Sequence, residues 1–190
     1  MTAPDQGLLE RVVRGISRPG ADAPAGVTTS ILTQAARSYG AKPVADELTV
    51  PTGFDPMAAA LFEAVVEAAF LVANADGVFD EGERAVFESV VTHACSDLVR
   101  DSQVEALVAD LAELLAEDGV EKRARMVART ITRRDNQLEV LRIAALMAHV
   151  SGGVDATERA VLDLIAKGFA LEAETVDHAL DQARDALASA

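Results

Sequence analysis

The chain has 190 residues and a formal net charge of −14; half of its residues are apolar, 4% are aromatic and tryptophan is absent. A chain of this length makes one domain, or one domain with an extension. Its acidity repels phosphate backbones, which argues against nucleic-acid binding and favours cations and basic partner surfaces.

Ala, Leu and Val dominate and proline is rare after position 56. That composition suits closely packed helices rather than sheets, so an all-α fold is expected. The charge is unevenly spread. Residues 51–120 carry two basic and fifteen acidic side chains, whereas residues 121–142 reverse to seven basic and three acidic. Cys95 is the only cysteine and sits in an apolar helical pattern, so no internal disulfide forms and a buried thiol is expected. No signal peptide and no segment of roughly 20 uninterrupted apolar residues is visible. The expected address is therefore the cytosol, with no membrane span.

In chain order, Leu8, Leu9, Val12, Val13 and Ile16 fall at helical spacing and predict a short amphipathic helix over 6–17. The Pro- and Gly-containing stretch 17–26 reads as a flexible linker. A second short helix is expected over about 28–38, and 41–56 reads as extended. Residues 1–50 are thus expected to form an arm that either docks into a partner groove or folds back on the rest. From 57 onward apolar periodicity is continuous and predicts seven helices of about 11–18 residues. Together they suggest an antiparallel bundle over 51–190.

The break after the first of these helices is the most informative stretch. It reads Asn74-Ala75-Asp76-Gly77-Val78-Phe79-Asp80-Glu81-Gly82-Glu83-Arg84, and an eroded copy returns 75 residues later as His149-Val150-Ser151-Gly152-Gly153-Val154-Asp155-Ala156-Thr157-Glu158-Arg159. Both copies keep an apolar residue two after a Gly, an Asp three after it and Glu-Arg six and seven after it. This spacing points to two copies of one helix–loop–helix unit. Two readings fit the residues. Counted from Val72, Asn74, Asp76, Asp80 and Glu83 occupy oxygen-donor positions of a calcium-binding loop; calcium, magnesium, manganese or zinc are candidates, and Asp155 and Glu158 are the weaker equivalents. The leading carboxylate of such a loop is missing, because Val72 stands there. In the other reading, Asp80 with Glu83 and Asp155 with Glu158 are helix N-caps with reciprocal partners. Capping leaves Asp76 without a role.

At these residues the chain resembles the TerB-like family, small helical proteins of bacterial tellurite-resistance and related stress operons. The resemblance rests on Ala75-Asp76-Gly77, Phe79, Glu83 and the duplication, and covers about residues 57–187. It implies an all-helical bundle, a divalent-metal site at the acidic elbow and a non-enzymatic role in sensing or scaffolding within a membrane-associated stress complex. The second unit departs from the pattern at Ser151.

Arg125, Arg129 and Arg133 form a basic stripe at i, i+4 and i+8. It would dock an acidic protein partner or an anionic membrane surface, or pair with the chain's own acidic helices. The three histidines lack metal-ligand spacing, and no nucleophile elbow, phosphate loop or dinucleotide fingerprint occurs. The expected function is therefore a non-enzymatic TerB-like stress-response protein, the alternative being an adaptor or cargo protein that docks through residues 6–17.

Overall fold

The computed structural model describes residues 6–42, 53–96, 98–151 and 153–188. Among them the chain forms nine α-helices and one 3₁₀ turn, with no strand. The first two helices are α1 (Gln6–Ser17) and α2 (Ile31–Gly40); α3 (Pro56–Ala73), α4 (Glu81–Ala94), α5 (Asp101–Asp118) and α6 (Val120–Thr130) follow. After α7 (Arg134–Ala148), a 3₁₀ turn covers His149–Ser151, and α8 (Ala156–Gly168) and α9 (Glu174–Ala188) complete the bundle.

Local chemistry sets the helix limits. Asp55 caps α3 by accepting the Met57 N–H at 2.9 Å, and Pro56 fills the first helical position, where its missing N–H costs nothing. Ser30 caps α2 in the same way through the Thr33 N–H. A single residue, Gly119 with φ of 75°, both ends α5 and begins α6. The stripe of Arg125, Arg129 and Arg133 requires one unbroken helix to 133, but α6 stops at Thr130. Ile131 leaves the helical region (φ −98°, ψ 91°) to bury its side chain completely, and Gln137 Nε2 donates to the carbonyl oxygen it exposes (2.8 Å).

Two helices occupy the centre. Helix α3 packs against α2, α5, α6, α7 and α8; helix α7 packs against α1, α2, α3, α8 and α9. In α7 every residue from Val140 to Ala148 is buried, and α3 is buried from Ala64 to Val72. Continuous burial explains why their sequences are apolar all round rather than on one stripe. By length and composition α3 could cross a membrane, which differs from the sequence expectation; here most of it is covered by neighbouring helices.

Helices α1 and α2, expected as an arm, are built into the same core. Val12 is 0% and Ile16 1% exposed, Leu8, Leu9 and Val13 pack against them half-buried, and Leu32, Ala35 and Ala36 of α2 are buried. Tyr39 of α2 stacks on Phe62 of α3 with ring centroids 4.5 Å apart. The apolar face that would have docked a partner is therefore the face that packs on α4, α7 and α9. The expected extended stretch 41–56 lies largely outside the described residues. Truncating Ile16 to alanine should lower the unfolding free energy by about 2–5 kcal/mol in chemical denaturation, the range for large core deletions. A loss below about 0.5 kcal/mol, the level of surface substitutions, would show that α1 is not part of the core.

Candidate functional site

At the first elbow, α3 ends with Asn74 donating its backbone N–H to the Phe70 carbonyl at 2.9 Å. Gly77 follows with φ of 78°, a left-handed conformation that suits glycine, and its N–H reaches the Asn74 carbonyl at 3.2 Å. Phe79 then turns inward. Its ring meets Phe70 of α3 edge-on at 5.2 Å and Phe87 of α4 at 6.0 Å, and Phe70 and Phe87 are themselves 6.1 Å apart. This triangle fixes the angle between the two helices, which is why an apolar residue stands immediately before the cap.

Asp76, Asp80 and Glu83 at the first elbow each have a backbone partner. Asp80 Oδ1 accepts the N–H groups of Gly82 (2.8 Å) and Glu83 (2.9 Å), and Glu83 Oε2 accepts the Asp80 N–H in return. Asp76, which capping did not explain, is exposed and accepts the Val78 N–H at 2.9 Å, a local turn two residues long. The second elbow repeats the reciprocal cap: Asp155 Oδ1 accepts from Thr157 and Glu158, and Glu158 Oε2 accepts the Asp155 N–H at 2.9 Å. The Thr157 hydroxyl and these backbone donors hold the Asp155 carboxyl below the usual range. Gly152 lies outside the described residues. Among the described residues no three His, Cys, Asp or Glu side chains converge so as to hold a metal ion.

The expected arginine stripe is divided. Arg125 and Arg129 are exposed on α6, but Arg133 lies beyond its end, at the cap of α7, where it pairs with Asp135 at 2.6 Å. The strong pairing comes from residues the stripe did not include. Arg123 Nε donates to Glu67 Oε1 at 2.5 Å, and its Nη1 reaches Asp118, which also receives Lys122. Glu67 is 7% exposed in the middle of α3. Burial raises its carboxyl above the ordinary value even though Arg123 pulls the other way. Lys122, with Arg123 beside it, holds the Asp118 carboxyl down. The basic helix is thus tied to the central, largely apolar α3 through Arg123.

Arg142 is the counterpart on α7, 4% exposed. Its Nη1 donates to the Gly15 carbonyl (2.8 Å) and its Nη2 to the Arg18 carbonyl (2.7 Å), both at the end of α1. Glu139 Oε1 lies 3.7 Å away and accepts the Ile31 N–H at the start of α2. Residues 17–26, expected as a free linker, therefore close over Arg142. Asp22 fastens them further by accepting Gln182 Nε2 (2.6 Å) and meeting His178 Nε2 (3.0 Å) on α9. The Nε of Arg142 is buried with no acceptor among the described residues, a deficit that typically costs about 1–3 kcal/mol or more for a charged group. Other atoms of Arg142 line a cavity of about 220 Å³ between this connection and the N-terminal half of α7.

Glu67 and Arg142 are absent from the sequence expectations. Their signal was legible, since each interrupts an apolar run with a single charge (Val65-Val66-Glu67-Ala68-Ala69 and Val140-Leu141-Arg142-Ile143). The histidines do not meet: His93 bonds the Ser89 carbonyl, His149 opens the 3₁₀ turn, and His178 holds Asp22. Burial pushes the Cys95 thiol up to about 12, which removes its nucleophilic form at neutral pH.

Comparison with protein-family models, with curated proteins and with solved structures gives no match to this chain.

Replacing Arg123 with methionine leaves Glu67 buried beside α6 without its cation, and should cost about 3–5 kcal/mol at neutral pH. The pH dependence follows from the direction of the Glu67 shift. A carboxyl whose folded value lies above its unfolded value carries no penalty below both, and the full penalty above both. The Arg123→Met deficit should therefore shrink as pH falls from 7 toward 4 in urea titrations. A deficit that grows on acidification would contradict the burial of Glu67.

Proposed function

We propose that this chain is a non-enzymatic, TerB-like helical protein, built from two copies of one helical unit, that works as a binding scaffold. The observation that carries this reading is how far the 75-residue interval extends. Beyond the caps Asp80–Glu83 and Asp155–Glu158, it relates the ion pair Arg84–Glu88 (2.8 Å) to Arg159–Asp163 (3.2 Å). It also relates buried positions along three helices: Val65 to Val140 in the central helix, Phe87 to Leu162 and Val90 to Ile165 in the next, and Val104 to Ala179 and Val108 to Ala183 in the third. Even the buried charges correspond, Glu67 to Arg142. Burial kept in phase over three helices and two elbows supports a duplicated unit.

The same geometry supports a scaffold over a catalyst or a metal carrier. The elbow carboxylates are capping groups joined to backbone N–H donors, and Asp76 has its own local turn. One solvent-facing stretch is acidic. Asp110, Glu113 and Glu117 on the outer face of α5 are exposed and form no ion pair among the described residues. A partner with a basic surface is the chemistry that face suits, rather than one engaging the buried α1.

Two measurements test the reading. Calorimetric titration with calcium, magnesium, manganese and zinc should give no saturable heat that Asp76→Ala removes; a stoichiometric site lost in that variant would make the elbow a metal centre instead. In cross-linking from the source cells, salt-sensitive capture of a basic protein should disappear in the triple variant Asp110→Lys, Glu113→Lys, Glu117→Lys. Capture that survives charge reversal would exclude α5 as the docking face.

A further inference from the structure

We propose, resting on the reading of α5 as a docking face for a basic surface, that this surface is α6 of a second copy of the chain. In the resulting dimer α5 of each copy lies against α6 of the other across a twofold axis. Two surface stripes carry the proposal. On α5, exposed Asp110, Glu113 and Glu117 surround Leu114, which is half-buried. On α6, exposed Lys122, Arg125 and Arg129 surround Met126, which is 39% exposed. Both stripes occupy i, i+3, i+4 and i+7 with the apolar residue at i+4, so each presents one face over two helical turns. Their signs are opposite throughout.

Within one copy these stripes stay unneutralised, although the helices are consecutive. Asp110, Glu113, Glu117, Arg125 and Arg129 form no ion pair among the described residues; Arg129 reaches the Met126 sulfur (3.8 Å), and Lys122 alone has a carboxylate, that of Asp118. The pairing of α6 with the chain's own acidic helices thus runs through Arg123 and Lys122 and leaves the two outer arginines available.

Adjacency selects the occupant. Gly119 alone separates the two helices, and both pack on α3. An anionic membrane or a nucleic acid drawn to Arg125 and Arg129 would meet the carboxylates of α5 beside them. A purely basic partner would meet the arginines. A second copy offers an acidic and a basic stripe in the same relation, and a twofold axis near Gly119 satisfies both at once. Leu114 of one copy and Met126 of the other then cover one another inside a charged rim. The net charge of −14 opposes association. At physiological salt, however, the Debye length is roughly 8 Å, so charges spread over the rest of the two copies are screened while the facing stripes are not.

Sedimentation equilibrium of the purified chain, between about 10 μM and 1 mM in about 0.15 M salt, is the test. Wild type should pass from monomer to dimer and stop there. The α5 variant Asp110→Lys, Glu113→Lys, Glu117→Lys has basic stripes on both helices, and the α6 variant Arg125→Glu, Arg129→Glu has acidic residues on both. Each alone should dimerise at least about tenfold more weakly than wild type, because like charges face one another. Mixed in equal amounts, the two variants should form a heterodimer, since each stripe then meets its opposite; this restoration also shows that both remain folded. A wild type that stays monomeric at the highest concentration overturns the proposal. So does a mixture that gains nothing over its components, or assembly that continues past the dimer. Only the purified chain is present, so a monomeric result leaves capture of a different basic partner by α5 to be decided by the cross-linking in cells.

Discussion

Everything in this fold is arranged around two central helices whose continuously buried stretches, Ala64 to Val72 and Val140 to Ala148, each contain one charge. Taking Glu67 and Arg142 out of water is costly unless partners reach them, and the partners in hydrogen-bond contact come from outside the central pair. Glu67 is met by Arg123, which ties α6 to α3. Arg142 is met by the carbonyls of Gly15 and Arg18 and, at longer range, by Glu139. One buried charge thus fixes the basic helix and the other fixes the connection from α1 to α2. The apolar core supplies most of the driving force, but it is non-directional; the two charges determine which peripheral segments lie where.

The same view changes what the elbows are for. A loop rich in Asp, Glu and Asn between apolar helices looks like a cation site, and the resemblance to the TerB-like family implies one. In the structure Asp80 and Glu83 at the first elbow each have a backbone N–H to satisfy, and the phenylalanine triangle of Phe70, Phe79 and Phe87 sets the angle between helices. Asp76 answers the Val78 N–H. The repeated motif encodes how a helix stops and the next one starts, which is sufficient reason for its spacing to recur 75 residues later.

Much of this was legible in the sequence. The all-α class, the amphipathic helix over 6–17, the seven helices after 56 and the two reciprocal caps follow from local rules: apolar periodicity, Asp three residues before Glu, and Gly at the breaks. What could not be read locally depends on tertiary contact. The Leu8–Ile16 stripe has the same pattern whether it covers a partner or its own core, and only packing against α4, α7 and α9 decides. The stripe of Arg125, Arg129 and Arg133 assumed an unbroken helix, and Ile131 ended it by seeking the interior. Residues 17–26 have linker composition, yet the Arg18 carbonyl accepts from the side chain of Arg142, more than a hundred residues away. The buried charges on α3 and α7 were visible as interruptions, but their partners on α6 and α1 carry no sequence mark.

The most direct measurement is native-state amide hydrogen exchange on the wild type and on Arg142→Met. If Arg142 anchors the α1–α2 connection, the variant should lose protection at Ala23, Val27 and Ser30, whose N–H groups bond to carbonyls within that connection. Protection in α3 and α6, held together through Glu67 and Arg123, should remain. Unchanged exchange over residues 18–30, or a uniform loss across the whole chain, would contradict the assignment of that segment to the buried charge on α7.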